Sequence, residues 1–182
     1  IPSVVRPYFV KRVCIYGPES TGKSRLTIDL AHHFQTVFVE EYARGLLDFK
    51  SGRCDYEDIE KIARGHRASE QALARQANRM LFCDTDMLTT TVWSEVLFGT
   101  CPAWLYESAG EMTYDLYLVT DIDVPWVDDN QRFFSSNEQR QQFLAHCLQA
   151  LEQHNRRYVM IRGTWDERLS MAIQAVESLF QG

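Results

Sequence analysis

Gly17-Pro18-Glu19-Ser20-Thr21-Gly22-Lys23-Ser24 is the stretch that decides the fold of this chain, because it has the spacing G-x-x-x-x-G-K-S of a phosphate-binding loop. Residues 13–16 before it are predicted to form a short buried strand, and apolar residues recur at helical spacing after it. The glycines let the backbone wrap around a phosphate group, and the amides at the start of the helix point toward it. We therefore predict that all eight residues bind a nucleotide.

Two side chains at the end of this loop carry its chemistry. Lys23 is expected to reach the β- and γ-phosphates of the nucleotide, and the Ser24 hydroxyl is expected to ligate Mg²⁺. Because Mg²⁺ prefers hard oxygen ligands and keeps several waters, one further carboxylate completes such a site. Asp84 follows the apolar run at residues 80–83 and is the predicted carboxylate, with capping of the next helix as the alternative.

The composition argues against several classes of protein. The chain has 182 residues, 45% of them hydrophobic, which suits one domain with a substantial core. No apolar stretch approaches about 18 residues, so neither a membrane span nor a signal sequence is predicted. A net charge of −6 without a basic cluster argues against a nucleic-acid partner. The five cysteines include no C-x-x-C pair, which predicts neither a disulfide framework nor a zinc site and favours a reducing cytoplasm.

Short apolar runs alternate with helical patterns along the whole chain, which predicts an α/β fold with a doubly wound parallel sheet of five strands. The strands are predicted at residues 12–16, 36–40, 80–84, 116–120 and 158–162. The helices are predicted at residues 23–35, 56–78, 89–97, 138–155 and 165–180. The last helix begins with Trp165, which heads an apolar stripe that we assign to the core.

Ligands of open parallel sheets bind beyond the carboxyl ends of the strands. After the second strand, Glu41 could orient or deprotonate an attacking hydroxyl and Arg44 could clamp a substrate, with an ion pair between the two as the alternative. Asp86, after the third strand, is expected either to contact the substrate or to cap the next helix. Three residues after the fifth strand suit the adenine side of a nucleotide site: Gly163, Thr164 and Arg168.

The polar segment at residues 121–136 has no helical period and is predicted to form a lid that closes over phosphates. Arg132 is its candidate for contact with transition-state charge, with an ion pair to Asp128 or Asp129 as the alternative. Trp126 either stacks on a flat ring or packs against the surface of the domain. This lid would complete the nucleotide site.

Four motifs follow one another along the chain: the phosphate loop, Glu-Tyr-Ala-Arg at residues 41–44, Asp-Thr-Asp at residues 84–86 with Thr89 and Thr90, and Trp-Val-Asp-Asp at residues 126–129 with Arg132. Together they resemble the ribosylnicotinamide kinase domain of NadR-type proteins, which join a nicotinamide-nucleotide adenylyltransferase domain to this kinase domain. The resemblance covers essentially the whole chain. It implies that residues 1–10 are a linker remnant from a covalently linked N-terminal domain, which fits the missing first methionine, and that residues 11–182 form the kinase domain.

The resemblance also implies a fold and a reaction. The fold is that of P-loop NTPases of the nucleoside-kinase type, a three-layer sandwich with sheet order 2-3-1-4-5. The reaction is transfer of the γ-phosphate of ATP, with Mg²⁺, to the 5′-hydroxyl of nicotinamide riboside. Its product, nicotinamide mononucleotide, feeds NAD synthesis in the cytoplasm.

Roles are carried over by matching position. Lys23 and Ser24 would serve ATP and Mg²⁺, and Glu41, with Asp86 as the alternative, would contact the ribosyl hydroxyl. The implied catalytic residues are Lys23, Glu41, Asp84, Asp86 and Arg132, and the implied metal ligands are Ser24 and Asp84. Substrate contacts are expected from Glu41, Tyr42, Arg44, Tyr56, Asp86, Trp126, Asp128 and Asp129.

One position departs from the family pattern. Some members carry an aromatic residue before the Glu-Tyr pair, where it can stack on nicotinamide, and here that position is Glu40. The pyridine ring must then be held by other groups, with Tyr42, Tyr56 and Trp126 as candidates. Two other functions stay open: a kinase of another nucleoside or small molecule, and a regulatory module that binds ATP or NAD without turnover.

Overall fold

A parallel sheet forms the centre of the computed structural model, which describes residues 2–125, 133–134 and 136–181. Its strands are β1 (Lys11–Tyr16), β2 (Phe38–Val39), β3 (Met80–Asp84), β4 (Leu116–Thr120) and β5 (Tyr158–Ile161). Within the described residues the sheet has these five strands in the order β2-β3-β1-β4-β5, and every neighbouring pair is parallel. The predicted α/β fold with sheet order 2-3-1-4-5 is therefore confirmed.

Helices cover both faces of this sheet. They are α1 (Lys23–His33), α2 (Tyr42–Phe49), α3 (Tyr56–Ala74), α4 (Met87–Phe98), α5 (Ala103–Glu111), α6 (Asn137–Gln153) and α7 (Trp165–Glu177), with 3₁₀ turns at Arg6–Tyr8 and Ser178–Phe180. Because side chains alternate along a strand, Val13 and Ile15 of β1 pack with α1 and α7, whereas Cys14 and Tyr16 pack with α3 to α6. The result is a three-layer sandwich. No helix within the described ranges has the length and apolar character needed to cross a membrane.

The strand predictions are most accurate at the centre of the sheet. Both β3 and β4 have the predicted bounds, and all of their residues are buried. The predicted strand at residues 36–40 shortens to the two residues of β2, which pairs only with β3 at the sheet edge. The chain turns into α2 directly after it, at Glu41.

Several helix ends differ from the prediction by one to four residues, and three of them lie near local features that account for the difference. Helix α1 ends two residues early, next to Gln35, whose φ is 51°. Helix α3 ends four residues early, shortly before Arg79, whose φ is 65°. Helix α4 begins two residues early because the Asp86 side chain accepts a hydrogen bond from its first turn and caps it.

The sequence did not indicate α2 or α5. Helix α2 has eight residues, including Gly45, and Leu47 is its only buried residue. Helix α5 has nine residues, of which Leu105 and Ala109 are buried. Helices this short, with one or two buried positions, carry too little periodicity to be recognised.

Leu118 lies in the middle of β4 and is completely buried in the cluster that packs against α1 and α7. We expect Leu118→Ala to lower the free energy of unfolding by about 2–5 kcal/mol, because it removes apolar contacts and leaves a cavity. Val96→Ala on α4, where the side chain is 36% exposed, is the control and should cost less than about 1 kcal/mol. Urea unfolding followed by circular dichroism measures both losses, and equal losses would contradict this assignment of the core.

Candidate functional site

The phosphate loop connects β1 to α1 and packs closely against other segments at two of its glycines. Gly17 has a φ of 131° and Gly22 a φ of 83°, values that residues with a side chain rarely adopt. A Cβ atom at Gly17 would lie 2.9 Å from the Thr120 carbonyl oxygen, and one at Gly22 would lie 2.4 Å from the Trp165 ring. Both positions therefore require glycine.

Trp165 belongs to this loop region and not to the core. It heads the apolar stripe of α7, yet it is 40% exposed, so its assignment to the core was wrong. Its ring lies against Gly22, and the Arg25 guanidinium lies 4.7 Å from the ring centre. An indole is large and partly polar, which suits a position at the rim of a site better than a closed core.

Two buried arginines hold the backbone of the loop from behind. Arg140 on α6 donates from Nη2 to the Ser20 carbonyl oxygen at 3.2 Å, and Arg168 on α7 donates from Nη1 to the Thr21 carbonyl oxygen at 3.1 Å. Both arginines are at most 1% exposed. In a trans peptide the next N–H points away from the carbonyl, so the amides of Thr21 and Gly22 turn away from the arginines.

The three residues predicted for the adenine side of the nucleotide site take part in holding the phosphate loop. Arg168 also donates to the Gly163 carbonyl oxygen at 2.9 Å, and the Gly163 N–H donates to Asp123 at 2.6 Å. Thr164 caps α7 by accepting a hydrogen bond from the Glu167 N–H at 3.3 Å. The buried Arg168 therefore holds the loop, and a direct contact of these three residues with ATP stays a prediction.

Lys23, Ser24 and Asp84 come together beneath the loop. Asp84 is 2% exposed, and its Oδ1 has no hydrogen-bond partner among the described residues. Burial and the nearby Glu41 carboxylate raise the pKa of Asp84 to about 7, whereas Lys23 and the Ser24 hydroxyl act to lower it. Lys23 Nζ donates to the Pro18 carbonyl oxygen at 2.7 Å.

The donor atoms at this position fit a magnesium ion. A buried carboxylate oxygen without a protein partner, beside a serine hydroxyl, is a pair of hard oxygen donors. Among the described residues, no three histidine, cysteine, aspartate or glutamate side chains gather as a metal site. Mg²⁺ does not need such a cluster, because it keeps several of its waters. Ser24 and Asp84 are therefore suitable ligands.

Two clefts flank the loop and share three residues. The phosphate groove is lined by residues 20–25 and Asp84. The helical cleft lies between α2, α3 and α4. Lys23, Glu41 and Arg44 line both. A group that passes from a molecule in one cleft to a molecule in the other would pass these three side chains.

The helical cleft has both polar and apolar lining residues, and its junction with the phosphate groove, at Lys23, Glu41 and Arg44, is its polar end. Its polar lining includes Glu19, Lys23, Glu41, Arg44, Thr85, Thr89 and Thr90. Its apolar lining includes Leu47, Ile59, Ile62, Trp93, Leu97 and Phe133. An elongated molecule with a polar part and a flat apolar part matches this division.

Glu41 and Arg44 stand at the first turn of α2. Glu41 is the residue that precedes the helix, and its Oε2 lies 3.7 Å from Arg44 Nη2. The ion pair that was the alternative to a substrate role is thus present. Both side chains nevertheless line the two clefts, so the pair is available to a ligand.

A left-handed turn at Thr85, whose φ is 68°, separates the two carboxylates of the Asp-Thr-Asp motif. Asp84 faces the phosphate groove, whereas Asp86 turns to the first turn of α4. Asp86 Oδ1 accepts the Thr89 N–H at 2.8 Å, and Oδ2 accepts the Tyr117 hydroxyl at 2.8 Å. Burial raises the pKa of Asp86 in spite of these hydrogen bonds. Of the two roles left open for Asp86, the structure gives it the helix cap.

The two tyrosines predicted to stack on a base lie outside the helical cleft. Tyr42 is 40% exposed and covers Gly65, where an added Cβ would lie 2.1 Å from its ring. Tyr56 is also 40% exposed, and its ring packs edge-on against Phe98 at 5.6 Å. Four other predicted residues lie outside the described part of the chain: Trp126, Asp128, Asp129 and Arg132.

Sequence reasoning missed the aromatic residues that do line the cleft. Trp93 lies in an apolar helix, and its position there does not distinguish a core contact from a cleft contact. Phe133 lies within the predicted lid, where the neighbouring Arg132 is the residue that the sequence offers as a candidate. Arg140 was missed because a charged residue in a polar helix is normally solvated, and no local pattern marks it as buried.

A family model described as an AAA domain (AAA_28) matches residues 12–168. The chain belongs to this AAA-domain family. Its curated relatives include the trifunctional NAD biosynthesis/regulator protein NadR of Escherichia coli strain K12, which is 31% identical over 184 residues. That match covers 98% of this chain but 45% of the relative, so this member of the AAA-domain family spans less than half the length of NadR. The predicted resemblance to NadR-type proteins is confirmed.

Solved structures agree with this assignment. A NadR protein in complex with NR superimposes with a TM-score of 0.83 at 25% identity, covering 98% of this AAA-domain chain and 54% of that one. Deoxyadenosine kinase from M. mycoides superimposes with a TM-score of 0.64 at 11% identity, covering 92% of this chain and 99% of the kinase. The second likeness concerns the fold alone.

Because Arg140 and Arg168 hold the backbone of the phosphate loop, weakening one of them should weaken nucleotide binding. Arg168→Lys loses the planar fork that bonds several carbonyl oxygens at once, so we expect the Kd for ATP to rise about tenfold. Arg162→Lys, at an arginine that is 59% exposed, is the matched control and should bind ATP as the wild type does. Calorimetric titration measures both, with thermal melting to verify folding. Unchanged affinity in a folded Arg168→Lys protein would contradict the positioning role.

His66 on α3 predicts a pH dependence of stability. Its side chain is buried, which lowers its pKa to about 4, and a hydrogen bond with the Thr85 backbone partly offsets this shift. In the unfolded chain the pKa is about 6.5, so that state binds a proton that the folded state does not. The contribution of the neutral His66 side chain to the free energy of unfolding is therefore fully present above about pH 6.5, and it is lost as the pH falls toward 4.

We expect the wild type to lose about 1–2 kcal/mol more unfolding free energy between pH 7 and pH 5 than His66→Gln does. Urea unfolding at both pH values measures the difference. His32→Gln, at an exposed position on α1, is the control and should follow the wild type. An identical pH dependence in His66→Gln would refute the assignment.

Proposed function

We propose that this chain is an ATP-dependent ribosylnicotinamide kinase. It transfers the γ-phosphate of ATP to the 5′-hydroxyl of nicotinamide riboside and forms nicotinamide mononucleotide for NAD synthesis. The observation that carries the proposal is the meeting of the phosphate groove and the helical cleft at Lys23, Glu41 and Arg44. Homology to NadR and the likeness to a NadR protein in complex with NR support the choice of acceptor.

The phosphate loop binds the triphosphate of ATP. The turned amides of Thr21 and Gly22 donate to phosphate oxygens, and Lys23 neutralises their charge from the start of α1. Ser24 and Asp84 would hold Mg²⁺, which would shield the phosphates and stabilise the charge that develops during transfer. Arg132 would add a positive charge from the lid, as the family resemblance implies.

The helical cleft binds the nucleoside with its ribose toward the polar end. Glu41 accepts a hydrogen bond from the 5′-hydroxyl and takes its proton as the oxygen attacks the γ-phosphorus. The bond between the γ-phosphorus and the bridging oxygen of ADP breaks as the new P–O bond forms. Arg44 keeps Glu41 oriented and adds positive charge next to the transferred group.

The same proposal covers the setting of the reaction. We propose that the chain works together with a covalently linked adenylyltransferase domain, since it matches less than half of NadR. We also propose a cytoplasmic location, because all five cysteines are free thiols.

Lys23→Ala should abolish most of the activity. Removing the ammonium group leaves the transferred phosphate without its nearest protein cation, so we expect kcat to fall by about a hundredfold or more. Lys61→Ala removes a lysine that is 60% exposed on α3 and lines neither cleft, and it should keep wild-type kcat. ADP release in a coupled assay measures both variants. Comparable losses in the two would remove Lys23 from the mechanism.

ADP release with Mg²⁺-ATP, with and without nicotinamide riboside, tests the function itself. A panel of other nucleosides is run in parallel. Turnover confined to nicotinamide riboside is the expected result. Turnover with another nucleoside alone would make that nucleoside the acceptor in place of nicotinamide riboside. ATP binding without any turnover would contradict kinase activity and favour a regulatory module.

A further inference from the structure

The strongest unassigned feature is an aromatic wall in the helical cleft, formed by Trp93 and Phe133. Trp93 lies on α4, is half-buried and lines the cleft next to Leu97. Its indole stacks on the ring of Phe134 at 5.1 Å with an interplanar angle of 14°, and the ring of Phe143 lies at 4.3 Å. The indole is therefore fixed by its neighbours, so a ligand in the cleft meets a rigid aromatic surface.

Phe133 extends this wall and is tied to the phosphate loop. Its ring centre lies 5.5 Å from that of Trp93. Glu19, a buried residue of the loop, accepts the Phe133 N–H at 3.0 Å through Oε2 and the Phe134 N–H at 2.8 Å through Oε1. Glu19 acts as a positioning residue here, because one carboxylate fixes both phenylalanines against the indole.

One carboxylate beside the wall favours a cationic ring. Glu19 lines the helical cleft alone and holds Phe133, whereas Glu41 and the two cations, Lys23 and Arg44, line the phosphate groove as well. The face of an indole is electron-rich and attracts a cation placed over it. A planar ring with a positive charge thus gains both stacking and electrostatic attraction at this wall, whereas a neutral base gains stacking alone.

We propose that Trp93, together with Phe133, recognises the base of the acceptor and selects a cationic pyridinium ring over neutral bases. This assignment rests on the proposed function and names the part of the cleft that decides the acceptor. It gives the stacking role that the sequence suggested for Tyr42 and Tyr56 to residues of α4 and of the segment before α6.

The test compares three substitutions at the wall with a matched control. Trp93→Leu keeps apolar volume but removes the aromatic face, so KM for nicotinamide riboside should rise about tenfold. Its KM for ATP and its kcat should stay within about threefold, because the polar end is untouched. Trp93→Phe should fall between wild type and Trp93→Leu, and Phe133→Leu should show a smaller rise in the same KM.

Trp104→Leu is the control for the loss of an indole. Trp104 lies on α5 with the Arg64 guanidinium 4.5 Å from its ring, and it does not line the cleft. Its KM values should equal those of the wild type. Thermal melting of every variant separates a folding defect from a binding defect, and Trp93→Phe keeps the test decisive when Trp93→Leu is poorly folded.

Ring charge is tested by calorimetric binding of nicotinamide riboside and of its reduced, uncharged form. The wild type should bind the cation more tightly, and Trp93→Leu should lose that preference. An unchanged KM for nicotinamide riboside in both Trp93 variants, or an unchanged preference for the cation, would overturn the assignment of Trp93. A wild type that neither binds nor phosphorylates nicotinamide riboside would instead overturn the proposed function.

Discussion

Two buried arginines set the position of the phosphate loop, and the arrangement of the site follows from them. Arg140 comes from α6 and Arg168 from α7, and they engage the neighbouring carbonyl groups of Ser20 and Thr21. A buried guanidinium is costly unless its donors are bonded, so the loop carbonyls and the arginines stabilise one another. The loop thereby becomes a fixed part of the sandwich, held by helices from both faces of the sheet.

The loop in turn shapes the neighbouring cleft. Glu19 occupies a position that the motif assigns to nucleotide binding, yet both of its carboxylate oxygens accept hydrogen bonds from the backbone before α6. Trp93 packs against the rings of that segment. The phosphate loop thus presents amides toward the phosphate groove and, through Glu19, anchors the aromatic wall of the helical cleft.

The sequence was sufficient for the fold because the fold depends on patterns that local residues carry. β3 and β4 are buried along their whole length, so their apolar runs mark them with the observed bounds. The phosphate loop is equally local, since its glycines, lysine and serine stand within eight residues. Asp86 shows the limit of this approach. A carboxylate after a strand suits a ligand or a helix cap, and only the left-handed turn at Thr85 sends it to the cap.

The aromatic wall of the helical cleft could not be predicted in the same way, because it depends on contacts between distant segments. Trp93 and Phe133 are in contact although they lie 40 positions apart in the sequence. Glu19, which anchors the backbone of Phe133 and Phe134, lies more than 100 positions from both phenylalanines. Arg140 reaches the loop over a similar separation, 120 positions. Side chains whose partners lie so far along the chain leave no periodic or spacing signal. The family pattern was of limited help as well, since its aromatic position is Glu40 here.

The hydrogen bonds by which Glu19 anchors the aromatic wall do not depend on which side chains stand at residues 133 and 134. Glu19 bonds the backbone N–H groups of residues 133 and 134, which every amino acid except proline supplies. Substitutions at these two positions can therefore change the aromatic wall of the helical cleft while the attachment to the phosphate loop persists. The backbone atoms of residues 133 and 134 anchor the segment, whereas their side chains form the wall or pack behind it. The shape of the helical cleft can thus vary between related sequences without a change in the phosphate loop.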